Sequence, residues 1–178
     1  MALEVSDIMI PKEKIQEMCE RLGRQISEDY KGRELLLIAV LRGAFVFMAD
    51  LIRYIDVPCR IDFMKVSSYG SGTESSGEVK IIQDLDEHIA GRDVIIVEDI
   101  IDSGLTLYKL RQVLQTRNPR SLAICAAFDK PDRRKADIRV DYIGMKIPDE
   151  FIVGYGLDYD GLYRNLPDIR YMKENGEA

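Results

Sequence analysis

The sequence predicts an α/β domain with a largely parallel central sheet flanked by helices. Three observations predict it. Short apolar runs alternate with segments of helical periodicity, the mark of βαβ units. One run, Leu35 to Leu41 (LLLIAVL), is unbroken and has the length of a strand buried on both faces. The chain has 178 residues, 46% of them hydrophobic and 31% charged, which suits one domain with a single sizeable core.

From Lys12 to Tyr30 the residues Ile15, Met18, Cys19, Leu22 and Ile26 recur at helical spacing, with Pro11 before them and Gly32 just beyond. An amphipathic helix follows from that pattern. The strand Leu35–Leu41 comes next, Arg42-Gly43 interrupts, and Ala44 to Ile55 reads as a second helix. Cys59 to Val66 is the next strand. It opens into a segment rich in Gly and Ser, about residues 67–79, that has little to bury and a high ordering entropy, so it is expected to be a mobile loop. Val79 to Ile82 and Val94 to Val97 read as strands, and Leu107, Leu110, Val113 and Leu114 mark a helical stripe. Further strands are expected at Ser121 to Ala127, Ile138 to Ile143 and Phe151 to Tyr155.

Composition excludes several function classes. A net charge of −6 argues against a general grip on nucleic acid, which needs clustered Lys and Arg to release counterions from phosphates. The short basic run Arg133-Arg134-Lys135 reads as a solvated loop face. Three cysteines, Cys19, Cys59 and Cys125, sit among apolar neighbours with no C-x-x-C spacing, as buried thiols in a reducing compartment do. The amino terminus MALEVSDIMIPKEK carries acids where a signal peptide needs bases, and no apolar run is long enough to span a bilayer. A cytoplasmic protein without a membrane partner is expected.

The stretch from Val94, VIIVEDIIDSGLT, carries the chemistry. Acids follow an apolar quartet and run straight into Asp102-Ser103-Gly104-Leu105-Thr106. In an open parallel sheet, ligands collect beyond the carboxyl ends of strands, where helix N-termini offer free N–H groups. Taking Val97 as the strand end, the loop from Asp102 to Thr106 suits a phosphomonoester, with Gly104 allowing close approach of the backbone. Carboxylates beside a phosphate make sense when they address other parts of the same ligand, such as sugar hydroxyls or a bridging metal. Alone, Asp102 would read as a helix N-cap; with Glu98, Asp99, Gly104 and Thr106 in register, the ligand reading prevails.

This motif resembles the phosphoribosyl-diphosphate motif of the type I phosphoribosyltransferases. PDEFIVGYGLDYDGLYRNLPDI, from Pro148 to Ile169, is similar to the carboxyl-terminal segment of their hypoxanthine-guanine branch, as is Leu41-Arg42-Gly43 followed by Ala44. The resemblance implies the type I fold as a single domain, with a core over about residues 12–145 and a small hood from about 1–11 and 146–178. It implies purine salvage with Mg²⁺, and a homodimer or homotetramer. Glu98 and Asp99 would bind the ribose hydroxyls, and the loop Asp102, Ser103, Gly104, Leu105 and Thr106 the 5′-phosphate. Asp102 would also be the catalytic proton-transfer group near N7 of the purine. Lys130 would donate to the oxygen at C6, selecting 6-oxopurines over adenine. Phe151 would stack on the base and Ile152 contact it through its backbone. Asp158, with Glu98 and Asp99, would serve Mg²⁺, while Arg164 and a cis Arg42-Gly43 peptide would face the pyrophosphate. Ser68 and Tyr69 match the dipeptide that closes the lid loop over the reacting centre.

Without the resemblance, Lys130 reads as a turn lysine, Phe151 and Tyr155 as core, and Asp158 as a surface acid; His88 has no assigned role. Two rivals remain at this stage. One is a nucleotide-sensing RNA-binding regulator on the same fold, disfavoured by charge. The other is a phosphoribosyltransferase acting on xanthine or another base.

Overall fold

The computed structural model describes residues 3–68 and 79–174. Twelve elements organise them, here numbered in chain order: β1 Leu3–Ile10, α1 Lys12–Asp29, β2 Leu35–Leu41, α2 Phe45–Leu51, β3 Cys59–Ser68, β4 Val79–Gln83, β5 Asp93–Ile101, α3 Leu105–Gln115, β6 Ser121–Asp129, β7 Tyr142–Lys146, β8 Ile152–Val153 and β9 Ile169–Glu174. Short 3-10 turns extend α2 at Ile52–Tyr54 and follow β6 at Pro131–Arg133.

The main sheet has the order β4-β3-β2-β5-β6-β7. β3, β2, β5, β6 and β7 are mutually parallel, and β4 joins the edge antiparallel. The α/β class and the largely parallel sheet therefore hold. Because both faces are covered, β2 is apolar throughout: residues 35–40 are all buried. One core face packs Ile15, Leu22 and Ile26 of α1 and Phe47 of α2 against Leu37, Ile95 and Cys125. The other packs Leu107, Leu110 and Leu114 of α3 against Leu36, Ile38, Val94 and Ile96. A separate antiparallel sheet, β1-β9-β8, joins the two ends of the chain.

Several expectations are corrected. β5 does not end at Val97 but continues through the acids to Ile101, because its ladder with β6 runs on to the pair Ile101–Asp129. The strand expected over Ile138–Ile143 begins only at Tyr142, opposite Cys125; Ala136 and Ile138 are instead buried in the core beside α3. Of the three thiols, Cys19 and Cys125 are buried, but Cys59, on the first residue of β3, is exposed. The cis peptide lies between Leu41 and Arg42, one bond before the Arg42-Gly43 position. No helix of the described residues is long and apolar enough to cross a membrane.

Candidate active site

The chain leaves β2 for β3 on one side and returns as β5 on the other, so the strand order reverses between β2 and β5. At such a switch point the loops after neighbouring strands diverge and leave a crevice at the carboxyl edge. Here the flanking loops are Arg42-Gly43-Ala44, after β2, and Asp102-Ser103-Gly104, after β5, with Lys130 entering from β6.

Two adjacent cavities occupy this edge. The smaller, about 170 Å³, is lined by Glu98, Asp102, Ser103, Gly104 and Thr106. The larger, about 590 Å³, is lined by Asp99, Asp102, Lys130, Phe151, Ile152 and Asp158. Asp102 lines both. A more voluminous cavity, about 880 Å³, lies elsewhere, between α1, α2 and residues 164–167; of the residues expected to bind ligand only Arg164 lines it. Size alone is a poor guide here, since the two smaller cavities hold the convergent polar groups that fix a ligand.

The loop 102–106 is shaped for an anion. Gly104 precedes α3 with φ 77°, a left-handed conformation that a side chain would strain, and Arg134 Cδ and Ile138 Cγ2 lie 3.1 Å from where a Cβ would stand. No side chain caps α3, so Asp102 is not spent as an N-cap; its side chain is half exposed into the cavities. Among the described residues, the one side-chain bond to the start of α3 is a long one from the Leu105 N–H to Ser103 Oγ, 3.4 Å. Ser103, Leu105 and Thr106 are half-buried along the cradle.

Glu98 and Asp99 point to opposite sides of β5, as neighbours on a strand must. Glu98 faces the small cavity beside α3. Asp99 lies against Gly43, so closely that a Cβ there would collide with its carboxylate. Burial and the neighbouring Asp99 charge push the Glu98 carboxyl well above the usual carboxylate range. Burial likewise raises Asp99 to about 6, against the lowering effect of the Ile100 N–H that Oδ1 accepts at 2.7 Å. Such a crowded anionic pair welcomes hydroxyl donors or a cation.

Lys130 is no solvated turn lysine: it is 7% exposed. Its Nζ donates to the Glu150 carbonyl at 2.7 Å and stands 3.7 Å from Asp102 Oδ1. Phe151 is exposed and meets Tyr159 edge-on with centroids 5.7 Å apart, leaving a ring face at the rim of the larger cavity, whereas Tyr155 is buried. Ile152 is buried on β8. Arg42 is exposed. Arg164 donates to the Gly156 carbonyl at 2.6 Å and pairs with Asp158 at 2.7 Å. Gly156 in turn abuts the Gly43 carbonyl, so that a Cβ would not fit between them. Ser68 closes β3, and Tyr69 with most of the lid loop lies outside the described residues.

Among the described residues no group of three or more His, Cys, Asp or Glu side chains forms a metal cage. Mg²⁺ commonly uses one or two carboxylates and takes its other ligands from water and substrate phosphates. Asp99 and Asp158, which line the same cavity, meet that lesser demand, with Glu98 on the opposite side of β5, and Asp158 Oδ2 is engaged among the described residues by the Gly161 N–H at 2.8 Å.

Sequence reasoning missed Arg134. It was read as part of a solvated basic run, but its guanidinium turns inward to pair with the buried Asp129 and to donate to the Asp102 carbonyl at 3.3 Å. Arg133 and Lys135 are exposed, as that reading requires. The only local signal was the spacing of Asp129 and Arg134 across Pro131.

Comparison with known proteins finds relatives over nearly the whole chain. The model of the phosphoribosyl transferase domain matches residues 10–160. The hypoxanthine phosphoribosyltransferase of Salmonella typhimurium is 56% identical over 165 residues, 92% of this chain and 93% of its own. The hypoxanthine-guanine phosphoribosyltransferase of Staphylococcus aureus strain Mu50 is 51% identical over 170 residues, 96% and 95% of the two chains. A crystal structure of a hypoxanthine-guanine phosphoribosyltransferase from Bacillus anthracis superposes with a TM-score of 0.92 at 47% identity, covering 97% of this chain and 100% of that one.

Proposed function

The chain belongs to the phosphoribosyltransferase family, and on that premise we propose that it is a purine salvage enzyme of the hypoxanthine-guanine type. It transfers the 5-phosphoribosyl group of phosphoribosyl diphosphate to hypoxanthine, and to guanine, giving the nucleoside 5′-monophosphate and pyrophosphate. The observation that carries this reading is the position of Asp102 between a cradle sized for a phosphate and a cavity bounded by a cation and an aromatic ring.

The reaction forms a bond from N9 of the base to C1 of the ribose while the bond from C1 to the pyrophosphate oxygen breaks. Positive charge develops on the sugar, and the base loses its N7 proton. Asp102 accepts that proton, a contribution of about 10²–10⁴-fold for a well-placed group. The loop 102–106 holds the 5′-phosphate, and Glu98 and Asp99 accept from the ribose hydroxyls. Lys130 donates to O6, which an exocyclic amine cannot accept, so adenine is refused. Phe151 covers one face of the base and the Ile152 backbone meets its edge. Arg164 and the Arg42-Gly43 peptide face the departing pyrophosphate, and Ser68 and Tyr69 close the site against water. Mg²⁺ near Asp158 and Asp99 would neutralise charge on the leaving group, with Glu98 adding negative charge from across β5. The hood and core form one catalytic domain, and the working unit is a cytoplasmic homodimer or homotetramer that binds neither nucleic acid nor membrane.

A spectrophotometric panel of free bases with phosphoribosyl diphosphate and Mg²⁺ tests the assignment. Turnover of hypoxanthine and guanine, with adenine inert, is the expected result; preference for xanthine would move the protein to a neighbouring specificity. Asp102→Asn should lower kcat far more than it raises KM for phosphoribosyl diphosphate.

A further inference from the structure

The carbonyls of Ile101, Asp102 and Ser103 all accept hydrogen bonds from one segment, residues 130–136. The Lys130 N–H donates to Ile101 O at 3.0 Å, Arg134 Nε to Asp102 O at 3.3 Å, and the Lys135 and Ala136 N–H groups to Ser103 O at 2.9 and 3.0 Å. Three successive carbonyls are thus drawn to the back of the loop. The N–H groups of Ser103 and Gly104, by contrast, donate to no backbone carbonyl among the described residues. A run of free N–H groups with its carbonyls turned away is the arrangement that binds an anion.

Two of these carbonyls are held by backbone N–H groups alone. At Asp102 the donor is a side chain, and it is anchored from beneath: Arg134 pairs with Asp129, which is 4% exposed at the end of β6. Its Cδ and Nε also lie 3.1 and 3.4 Å from the point where a Cβ on Gly104 would stand. We propose that Arg134 is a positioning residue for the proposed reaction: bridging Asp129 to the Asp102 carbonyl, it sets the loop so that its N–H groups and the Asp102 carboxylate face the ligand. A planar guanidinium can serve two acceptors in fixed directions at once, whereas a lysine ammonium on a flexible stem gives one point contact. This inference rests on the phosphoribosyltransferase reading for its catalytic consequence, but its structural core does not.

The test uses the full chain with Arg134→Lys and Arg134→Ala. Arg134→Lys keeps a cation against Asp129, so its Tm should stay near wild type while the Asp102 bond is lost. KM for phosphoribosyl diphosphate should then rise about 5–10-fold, the worth of one such bond, with KM for hypoxanthine unchanged. Amide hydrogen exchange at Lys135 and Ala136, whose N–H groups donate to the Ser103 carbonyl of the loop, should quicken in both variants without ligand, while exchange at Leu110 to Leu114 of α3 stays as in the wild type. A merely structural arginine gives a different pattern: a lower Tm in Arg134→Ala with exchange at Lys135 and Ala136 and the KM values preserved, which overturns the proposal. Wild-type kinetics and exchange in Arg134→Lys overturn it as well. Should the wild type transfer no phosphoribosyl group, the functional reading falls, and the exchange comparison still decides the role of Arg134.

Discussion

Gly43→Ala probes the site without replacing a charged residue. The added methyl would overlap Asp99 Oδ2 and stand only 2.6 Å from its Cγ, where ordinary contact begins near 3.4 Å. The carboxylate must therefore retreat by roughly one to two ångströms, since the backbone of residue 43 is itself backed by Gly156. Retreat should break the 2.7 Å bond from the Ile100 N–H to Asp99 Oδ1 and, on the proposed role, misalign the carboxylate for the ribose hydroxyls. A hydrogen bond to a charged group is worth about 1.5–3 kcal/mol, which corresponds to a loss of roughly 10–150-fold. The loss should appear in kcat/KM for phosphoribosyl diphosphate, measured by steady-state kinetics with hypoxanthine saturating, while KM for hypoxanthine changes little. A variant with wild-type kcat/KM would show that Asp99 does not depend on its contact with Gly43. An equal rise in both KM values would show a general collapse of the site.

Lys130→Ala should lower kcat/KM for hypoxanthine and guanine by about 10–100-fold, through loss of a charged donor that the Glu150 carbonyl already holds in place; equal losses for every base in the panel would refute the selectivity argument. Burial raises the Asp99 carboxyl to about 6, so this group holds its proton over a wider pH range in the folded protein than in the unfolded chain. Charge there is disfavoured in the ligand-free protein, so this group's contribution to stability falls as pH rises from its ordinary range through about 6. If Asp99 serves the ligand as proposed, affinity for phosphoribosyl diphosphate with Mg²⁺ should weaken as pH drops below about 6. Calorimetry in buffers of different ionisation enthalpy should detect proton release on binding near pH 6; its absence would remove Asp99 from the ligand. Asp93, buried at the start of β5, accepts from Arg120 Nε at 3.1 Å and Ser121 Oγ at 2.6 Å, and Arg120 foremost holds its carboxyl below the usual range. A depressed carboxylate stabilises above its unfolded pKa and stops doing so as pH falls through the folded one, so Asp93→Ala should cost about 1–3 kcal/mol near neutrality and less in acid. Urea denaturation at two pH values checks this.

Sequence reasoning recovered the regular elements where local pattern and final environment coincide. Leu35–Leu41 was legible because a strand covered on both faces must be apolar at every position, and α1 because one face of it meets the core. β1 and β9 showed no such pattern: their pairing joins opposite ends of the chain, and their burial alternates weakly. Ile138 looked like a strand residue, since its apolar character records burial but not whether the partner is a strand or α3. The motif from Val94 to Thr106 pointed to a sugar phosphate because consecutive residues bear it, and consecutive residues stay together in any fold.

What the chain's order alone determined is thus the set of strands and helices and the chemistry of contiguous stretches, because those depend on neighbours within a few residues. Only the tertiary structure decided that Gly43 stands against Asp99, that Gly156 backs it, that Lys130 is buried 3.7 Å from Asp102, and that Arg134 points inward to Asp129. The side chains that set the geometry of this site come from the ends of β2, β5 and β6 and from the segment between β8 and β9. A parallel sheet brings those places together by pairing strands distant in sequence, and no local pattern records which strand lies beside which.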